Sequence, residues 1–143
     1  MPYTAKLLIR DVAAVKPDAT VQEVAKLMAK SNIGSVIVGE KSKPQGIFTE
    51  RDIARRVVAE GLDPAETPVS AAMTRTLISV DASEPLDKVF EVLSDGNFRH
   101  LPITDRGEVV GIVSLTDLGK VLQQVYKEDK YIQYFADVLQ NPK

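Results

Sequence analysis

Apolar residues along this chain follow two patterns, a helical spacing and short continuous runs. Thr20 and Glu23 form a capping-box pattern that predicts the start of a helix, and Asn32 is predicted to end it. Residues 35–38 and 45–48 predict two strands, the first buried on both faces. The inner face of the helix is predicted from apolar residues at i, i+3, i+4 and i+7, which are Val21, Val24, Ala25 and Met28.

A helix from Thr49 to Gly61 is predicted to close the first half of the chain, and its predicted inner residues are Ile53, Ala54, Val57 and Val58. The second half of the chain predicts the same order of elements as the first. Residues 62–68 join the halves. The elements predicted beyond them are a strand near Leu77 and Ile78, a helix that buries Leu86, Val89, Phe90 and Leu93, a strand at 101–104, a hairpin turn at 105–107, a strand at 109–113 and a helix from Ser114.

A sequence motif is repeated at a fixed distance. Gly-Ile-Phe-Thr-Glu-Arg-Asp at residues 46–52 is followed 65 residues later by Gly-Ile-Val-Ser-Leu-Thr-Asp at residues 111–117. The same offset aligns residues 15–57 with 80–122 without a gap. Each repeat is therefore predicted to be a β-α-β-β-α unit. Because a lone unit of about 50 residues buries little surface, we expect two units packed face to face around a shared core.

The chain ends in a second helical stripe. After Leu122 and Val125 the apolar spacing is interrupted by charges at 127–130 and resumes with Ile132, Phe135, Ala136 and Leu139. This tail either packs on its own domain or uses Tyr131, Tyr134 and Phe135 to hold a dimer, since aromatic residues are enriched in interface cores.

Composition excludes several classes of function. The 143 residues carry a net charge of −2, which argues against sequence-independent binding of nucleic acid. Cysteine is absent, so there is no disulfide, thiol nucleophile or zinc–thiolate site. The sequence contains no apolar run near the ~20 residues of a membrane span and no export signal, so a cytoplasmic location without membrane contact is expected.

The repeated motif has two interpretations. Ser or Thr followed three residues later by an acid is a capping box, which has a purely structural role. Both copies, however, follow an apolar strand end, and the carboxyl ends of strands in α/β layers are where ligands bind. Free amides at a helix start attract phosphate, and an aspartate one turn in suits the paired hydroxyls of a ribose.

The duplicated motif resembles that of cystathionine-β-synthase (CBS) domains. Arg-His-Leu-Pro at 99–102 and Val-Ser-Ala-Ala-Met-Thr at 69–74 are also similar to that family, and the resemblance covers residues 8–122. It implies an α/β (α+β) fold in which tandem β-α-β-β-α repeats, residues 8–61 and 69–122, form a CBS pair with pseudo-twofold symmetry. Residues 123–143 form the helical tail. Two such pairs commonly assemble, so a homodimer is expected.

The resemblance also implies two clefts that bind adenine nucleotides. Asp52 and Asp117 match the aspartates that hold ribose, and Thr49 and Ser114 match the hydroxyls near phosphate. Each cleft combines the motif of one repeat with strands of the other. The residues implied for the first cleft are Thr49, Arg51, Asp52, Thr74, Leu77, Ile78, Arg99 and His100. Those implied for the second are Asp11, Val12, Ala13, Gly34, Ser35, Ser114, Thr116 and Asp117.

The two clefts are expected to bind unequally. Arg99 and Arg51 can meet phosphate in the first cleft, whereas the aligned positions of the second, Gly34 and Ser35, supply no cation. Structural alternatives remain: Arg99 can be a surface residue, His100 a hydrogen-bonded structural histidine, and the Arg55–Arg56 pair the exposed side of a helix.

The predicted function is a regulatory module that senses an adenosine nucleotide, AMP first. Sensors of ATP, NAD or S-adenosylmethionine share the same contacts, and the module would act on an unidentified regulated protein. A ligand-free dimerisation protein is the alternative. An enzyme is not expected, because the sequence contains no nucleophile–base pair and no P-loop. Neither a cofactor nor a metal site is expected.

Overall fold

The computed structural model describes residues 3–75, 77–96, 99–125 and 136–140. They form two compact units that do not follow the order of the chain. The N-terminal unit contains residues 11–77 and 107–109, and the C-terminal unit contains the residues up to Arg10, 78–106 and the chain from Val110 on. Two short segments therefore belong to the unit that is formed mainly by the other repeat. Residues 4–10, the first lead segment, belong to the C-terminal unit, and residues 68–75, the second lead segment, belong to the N-terminal unit.

The N-terminal unit is built on a three-stranded sheet. Its elements are β1 (Ala14–Val15), α1 (Val21–Ser31), β2 (Ser35–Glu40), β3 (Lys43–Thr49), α2 (Glu50–Asp52) continuing as a π-helix (Ile53–Val58), and α3 (Val69–Ala72). β2 lies in the middle, parallel to β1 and antiparallel to β3. Thr20 accepts a hydrogen bond from the Glu23 amide at 3.1 Å, and Asn32 ends α1 in the left-handed conformation, as predicted.

The core of this unit lies between the sheet and its helices. Val36, Ile37 and Val38 are fully buried, which confirms that β2 is covered on both faces. Phe48, at the end of β3, has no exposed surface and is the largest such side chain among the described residues. It packs with residues that the helical spacing predicted to be inside, which include Val21, Val24, Met28 and Val57.

The C-terminal unit repeats this plan. It contains a 3₁₀ helix (Ala5–Leu8), β4 (Val80–Asp81), α4 (Leu86–Asp95), β5 (Leu101–Asp105), β6 (Glu108–Val113) from Val110 on, and α5 (Leu115–Val125). The strand order is β4-β5-β6, and β4 is parallel to β5. Arg106 and Gly107 both have positive φ in the turn before β6, which is the geometry of a type I′ hairpin. The predicted mixed α and β fold with two copies of one unit is confirmed.

The strand predicted near Leu77 and Ile78 is wrong. β4 begins at Val80, where the chain pairs with β5 in the register Val80↔Ile103. The corresponding pair in the first sheet is Val15↔Val38, so both partners are displaced by the repeat offset of 65 residues. The position of β4 is therefore set by its pairing with the central strand β5, and not by the adjacent apolar residues Leu77 and Ile78.

The helix after Thr49 is less regular than its spacing predicts. Amides bond five residues back, from Ala59 to the Ala54 carbonyl at 2.9 Å and from Leu62 to that of Val57 at 3.0 Å, which is the π-helical pattern. Wider turns change which side chains face inwards. Val57 is buried, whereas Ala54 is exposed and Val58 is 68% exposed, so the predictions for these two residues were wrong. Phe90, also predicted to be inside, is exposed at the edge of the α4 stripe.

The described part of the C-terminal tail packs on its own unit. Ala136 is fully buried in the same cluster as Leu118 and Val121 of α5, and Leu139 packs against that cluster. The residues that would support the dimer alternative, Tyr131, Tyr134 and Phe135, lie outside the described residues. Among the described residues, no helix is both long enough and apolar enough to cross a membrane.

Asp81, at the end of β4, forms a pH-dependent contact. It accepts hydrogen bonds from the Ser83 hydroxyl and from the Ser83 amide at 2.9 Å, and these two bonds, the hydroxyl first, lower the pKa of Asp81 from its ordinary value of 3.8. Because the folded-state pKa is the lower one, the stabilisation is present above pH 3.8 and is lost as the pH falls through the folded pKa.

An NMR titration of the Asp81 carboxyl carbon should therefore give a pKa below 3.8, and Ser83→Ala should return it towards that value. A wild-type pKa at or above 3.8 would contradict the contact.

Candidate functional site

The first copy of the motif is a complete capping box at the start of α2. The Thr49 amide donates to Asp52 Oδ2 at 3.0 Å, and the Asp52 amide donates to Thr49 Oγ1 at 3.3 Å. Since β3 ends at Thr49, these side chains lie at the strand-to-helix corner, where the sequence predicted them. The capping interpretation thus accounts for one oxygen of the Asp52 carboxylate.

The other oxygen of Asp52 faces the second lead segment. Oδ1 accepts a hydrogen bond from the Thr74 hydroxyl at 3.3 Å and lies 3.4 Å from Arg56 Nε. Arg56 Nη1 also donates to the Met73 carbonyl at 3.0 Å. The Asp52 side chain is only 10% exposed, whereas that of Arg56 is 51% exposed. Asp52 therefore joins the motif to the lead segment beside it.

The second copy repeats the capping box but has a different neighbour. The Ser114 amide donates to Asp117 Oδ2, and the Asp117 amide donates to Ser114 Oγ, both at 3.1 Å. Asp117 Oδ1 lies 3.4 Å from Nη1 of Arg10, which comes from the first lead segment. The Asp117 side chain is 29% exposed and that of Arg10 41%, so this carboxylate is more open than Asp52.

The glycines of the motif allow the lead segments to approach. Thr74 and Ile47 exchange two backbone hydrogen bonds, and the Arg10 amide donates to the Val110 carbonyl at 3.0 Å. A Cβ atom on Gly46 would lie 2.7 Å from the Thr74 carbonyl oxygen, and one on Gly111 would lie 2.3 Å from that of Leu8. Both motifs need glycine here because a backbone carbonyl occupies the space of a side chain.

Helix-start amides are less available to a phosphate than the sequence suggested. At the first motif the Glu50 amide donates to the Gly34 carbonyl at 3.1 Å, and the Asp52 amide is used by Thr49. At the second motif the Asp117 amide is used by Ser114. These three amides are therefore already bonded within the protein.

The remaining predicted residues are divided between the units. Arg99 is exposed and His100 half-buried immediately before β5, and their predicted association with Asp52 stays a prediction. In the N-terminal unit lie Asp11, Val12, Ala13, Gly34, Ser35, Thr49, Arg51, Asp52, Thr74 and Leu77; in the C-terminal unit lie Ile78, Arg99, His100, Ser114, Thr116 and Asp117. Thr74 and Asp52 are brought into direct contact.

Two arginines at the motifs were missed by the sequence interpretation. Arg56 was assigned to an exposed helix side, although its spacing of four residues from Asp52 could have indicated the pair. Arg10 was missed because it precedes the aligned range of the repeats. Extending the 65-residue offset would have matched it with Arg75 and drawn attention to the lead segments. The cation beside the second motif is therefore Arg10, which does not align with Arg99.

The described residues contain no group of three or more histidine, cysteine, aspartate or glutamate side chains placed to hold a metal ion. The chemistry of both motifs is instead that of a carboxylate, a hydroxyl and a guanidinium. These groups bind hydroxyls and anions.

Comparison with known proteins gives a consistent result. A family model of the CBS domain matches residues 5–59 and 69–124. The CBS domain-containing protein YhcV of Bacillus subtilis is 41% identical over 108 residues, which are 76% of each chain. A CBS-domain-containing protein of Agrobacterium tumefaciens is 34% identical, with a TM-score of 0.74 over 82% of this chain and 97% of that one.

A third relative was solved with a ligand. The CBS domain protein of Pyrobaculum aerophilum complexed with AMP is 30% identical, with a TM-score of 0.71 over 80% of this chain and 88% of that one. Both copies of the repeat match the family, and the fold matches that of its solved members. The chain therefore belongs to the CBS-domain family, as a pair of CBS repeats.

Proposed function

We propose that this protein is a regulatory module that binds an adenosine nucleotide, AMP first, at the two motifs. The observation that carries the proposal is the double role of each aspartate. Oδ2 of Asp52 and of Asp117 is held by its own capping box, while Oδ1 contacts the Thr74 hydroxyl in the first motif and the Arg10 guanidinium in the second. A carboxylate oxygen so fixed can accept hydrogen bonds from the paired hydroxyls of a ribose.

The relative from Pyrobaculum aerophilum supports AMP as the first ligand to test, since it was solved with AMP. ATP, NAD and S-adenosylmethionine carry the same ribose and remain part of the proposal as alternatives. Occupancy would be passed to a regulated protein or to a homodimer of this chain. We propose Arg99 and Arg51 as the phosphate contacts of the Asp52 site. The proposed function includes no enzymatic step and no cofactor.

A ligand-free structural module is the second candidate. The observation that favours it is the same capping box, because a buried aspartate that caps a helix and bonds Thr74 already has a structural use. The two candidates differ in what AMP does to the protein, which is directly measurable.

Isothermal calorimetry of the full chain with AMP should give saturable binding. Asp117→Asn should weaken the AMP affinity of one site about ten- to hundredfold, because a charged hydrogen-bond acceptor is lost. Asp87→Asn is the matched control, because Asp87 is likewise an aspartate in the first turn of a helix but is exposed and lies outside both motifs. Its affinity should equal that of the wild type.

A melting temperature unmoved by AMP, ADP, ATP, NAD and S-adenosylmethionine, together with flat calorimetric titrations, would reject the proposal and favour the structural module. Equal weakening by Asp117→Asn and Asp87→Asn would remove Asp117 from the site.

A further inference from the structure

Arg10 contacts the aspartate of the second motif, whereas the aligned arginine of the other lead segment does not contact that of the first. Its repeat counterpart, Arg75, donates Nη2 to the Ser70 carbonyl at 3.3 Å rather than pairing with Asp52. The lead-segment side chain that contacts Asp52 is the neutral Thr74. The lead segments therefore present a hydroxyl to one aspartate and a guanidinium to the other. The cation beside Asp117 thus comes from a lead segment, whereas the cation beside Asp52, Arg56, belongs to the helix that follows the motif.

The backbone holds Arg10 in place. Its amide donates to the Val110 carbonyl at 3.0 Å, and the Leu8 carbonyl lies against Gly111, the first residue of the motif. Only the side chain is left to move, and it is 41% exposed. The guanidinium is thus positioned at the motif yet open to solvent.

The pairing of Arg10 leaves it able to bind an anion. Nη1 lies 3.4 Å from Asp117 Oδ1, which is long for a charge-assisted hydrogen bond, and the guanidinium has five N–H donors in all. It can meet Asp117 and a phosphate at the same time, since its fork matches phosphate geometry. At the first motif, Arg56 is more committed because it bonds both Asp52 and the Met73 carbonyl.

We propose that Arg10 is the specificity-determining residue of the second motif, where it selects ligands that carry a phosphate over the bare nucleoside. This inference rests on the proposed function, and it assigns the phosphate contact at the Asp117 site to a lead-segment side chain. The Asp117 amide cannot make that contact while it is bonded to Ser114.

Two-dimensional NMR separates the two sites. The Asp117 and Leu118 amides report on the second motif, and the Asp52 and Ile53 amides report on the first. Titrations with AMP and with adenosine then give four affinities. At the second motif the wild type should bind AMP at least about tenfold more tightly than adenosine.

Arg10→Gln should remove this preference by weakening AMP at least about tenfold while leaving adenosine unchanged. Arg10→Lys keeps the charge without the fork and should be intermediate. Arg75→Gln is the matched control and should behave as the wild type at both motifs. The spectra themselves verify that each variant is folded.

Each contrary outcome identifies what fails. Unchanged AMP affinity in Arg10→Gln would overturn the inference. Tighter binding of both ligands by this variant would also overturn it, because Arg10 would then compete with the ligand for Asp117. A response confined to the first-motif amides would overturn it while leaving nucleotide binding intact. Silence of both motifs towards AMP and adenosine would reject it together with the proposed function.

Discussion

Asp52→Ala is expected to lower the free energy of unfolding by about 3 kcal/mol, because several polar groups lose their acceptor at once. The Thr49 amide and the Thr74 hydroxyl both bond this carboxylate, which is only 10% exposed, and Arg56 lies beside it. A buried donor left without a partner costs about 1–3 kcal/mol. The helix also loses the Asp52 half of its capping box, although the Thr49 hydroxyl can still accept from the amide of residue 52.

Asp117→Ala is the matched comparison and should cost only about 1 kcal/mol. It removes the same capping box, but the side chain is 29% exposed and its ion pair with Arg10 is partly solvated. Urea unfolding of both variants measures the difference. Asp52→Asn should fall between the wild type and Asp52→Ala, because an amide oxygen still accepts from Thr74. Equal losses for the two alanine variants would contradict the special role of the lead-segment contacts at Asp52.

The two carboxylate oxygens of each motif aspartate have partners of different origin. A capping box needs one carboxylate oxygen, and Thr49 or Ser114 provides its partner within three residues along the chain. That part is local and could be predicted from spacing. The partner of the second oxygen comes from a segment distant in sequence, either Thr74 or Arg10, and no local pattern specifies it.

The fold was predictable for a related reason. A gapless offset of 65 residues constrains strands, helices and turns together, so the two sheets and the hairpin turn at Arg106 and Gly107 followed from the sequence. Features that depend on packing did not follow. The π-helix after Asp52 and the exposed Val58 break the helical period that was used to predict them.

The assignment of the lead segments to opposite units has consequences for the motifs. Each motif is completed by a segment that precedes a repeat in the chain but packs with the body of the other repeat. Residues 4–10 supply Arg10 to Asp117, and residues 68–75 supply Thr74 to Asp52. Displacing a lead segment should therefore change both the stability of a unit and the ligand contacts at its motif.

Gly111→Ala is expected to displace the first lead segment and to lower the free energy of unfolding by about 3 kcal/mol, at the upper end of the usual cost of overpacking. The new Cβ would lie 2.3 Å from the Leu8 carbonyl oxygen, and backbone atoms cannot move aside as a flexible side chain can. Gly46→Ala should cost less, about 2 kcal/mol, because its contacts at 2.7 Å include the flexible Met73 thioether as well as the Thr74 carbonyl.

Gly61→Ala provides the control for the loss of glycine itself. Gly61 has a φ of +69° and open space around its Cβ position. Alanine there should lower the free energy of unfolding by only about 1 kcal/mol, the cost of a non-glycine residue in the left-handed conformation. Urea unfolding should therefore rank the losses as Gly111→Ala, Gly46→Ala, Gly61→Ala. A Gly111→Ala loss no greater than that of Gly61→Ala would mean that the lead segment yields without strain. If the segment is displaced as expected, Gly111→Ala should also abolish the preference for AMP over adenosine at Asp117, because Arg10 moves away with Leu8.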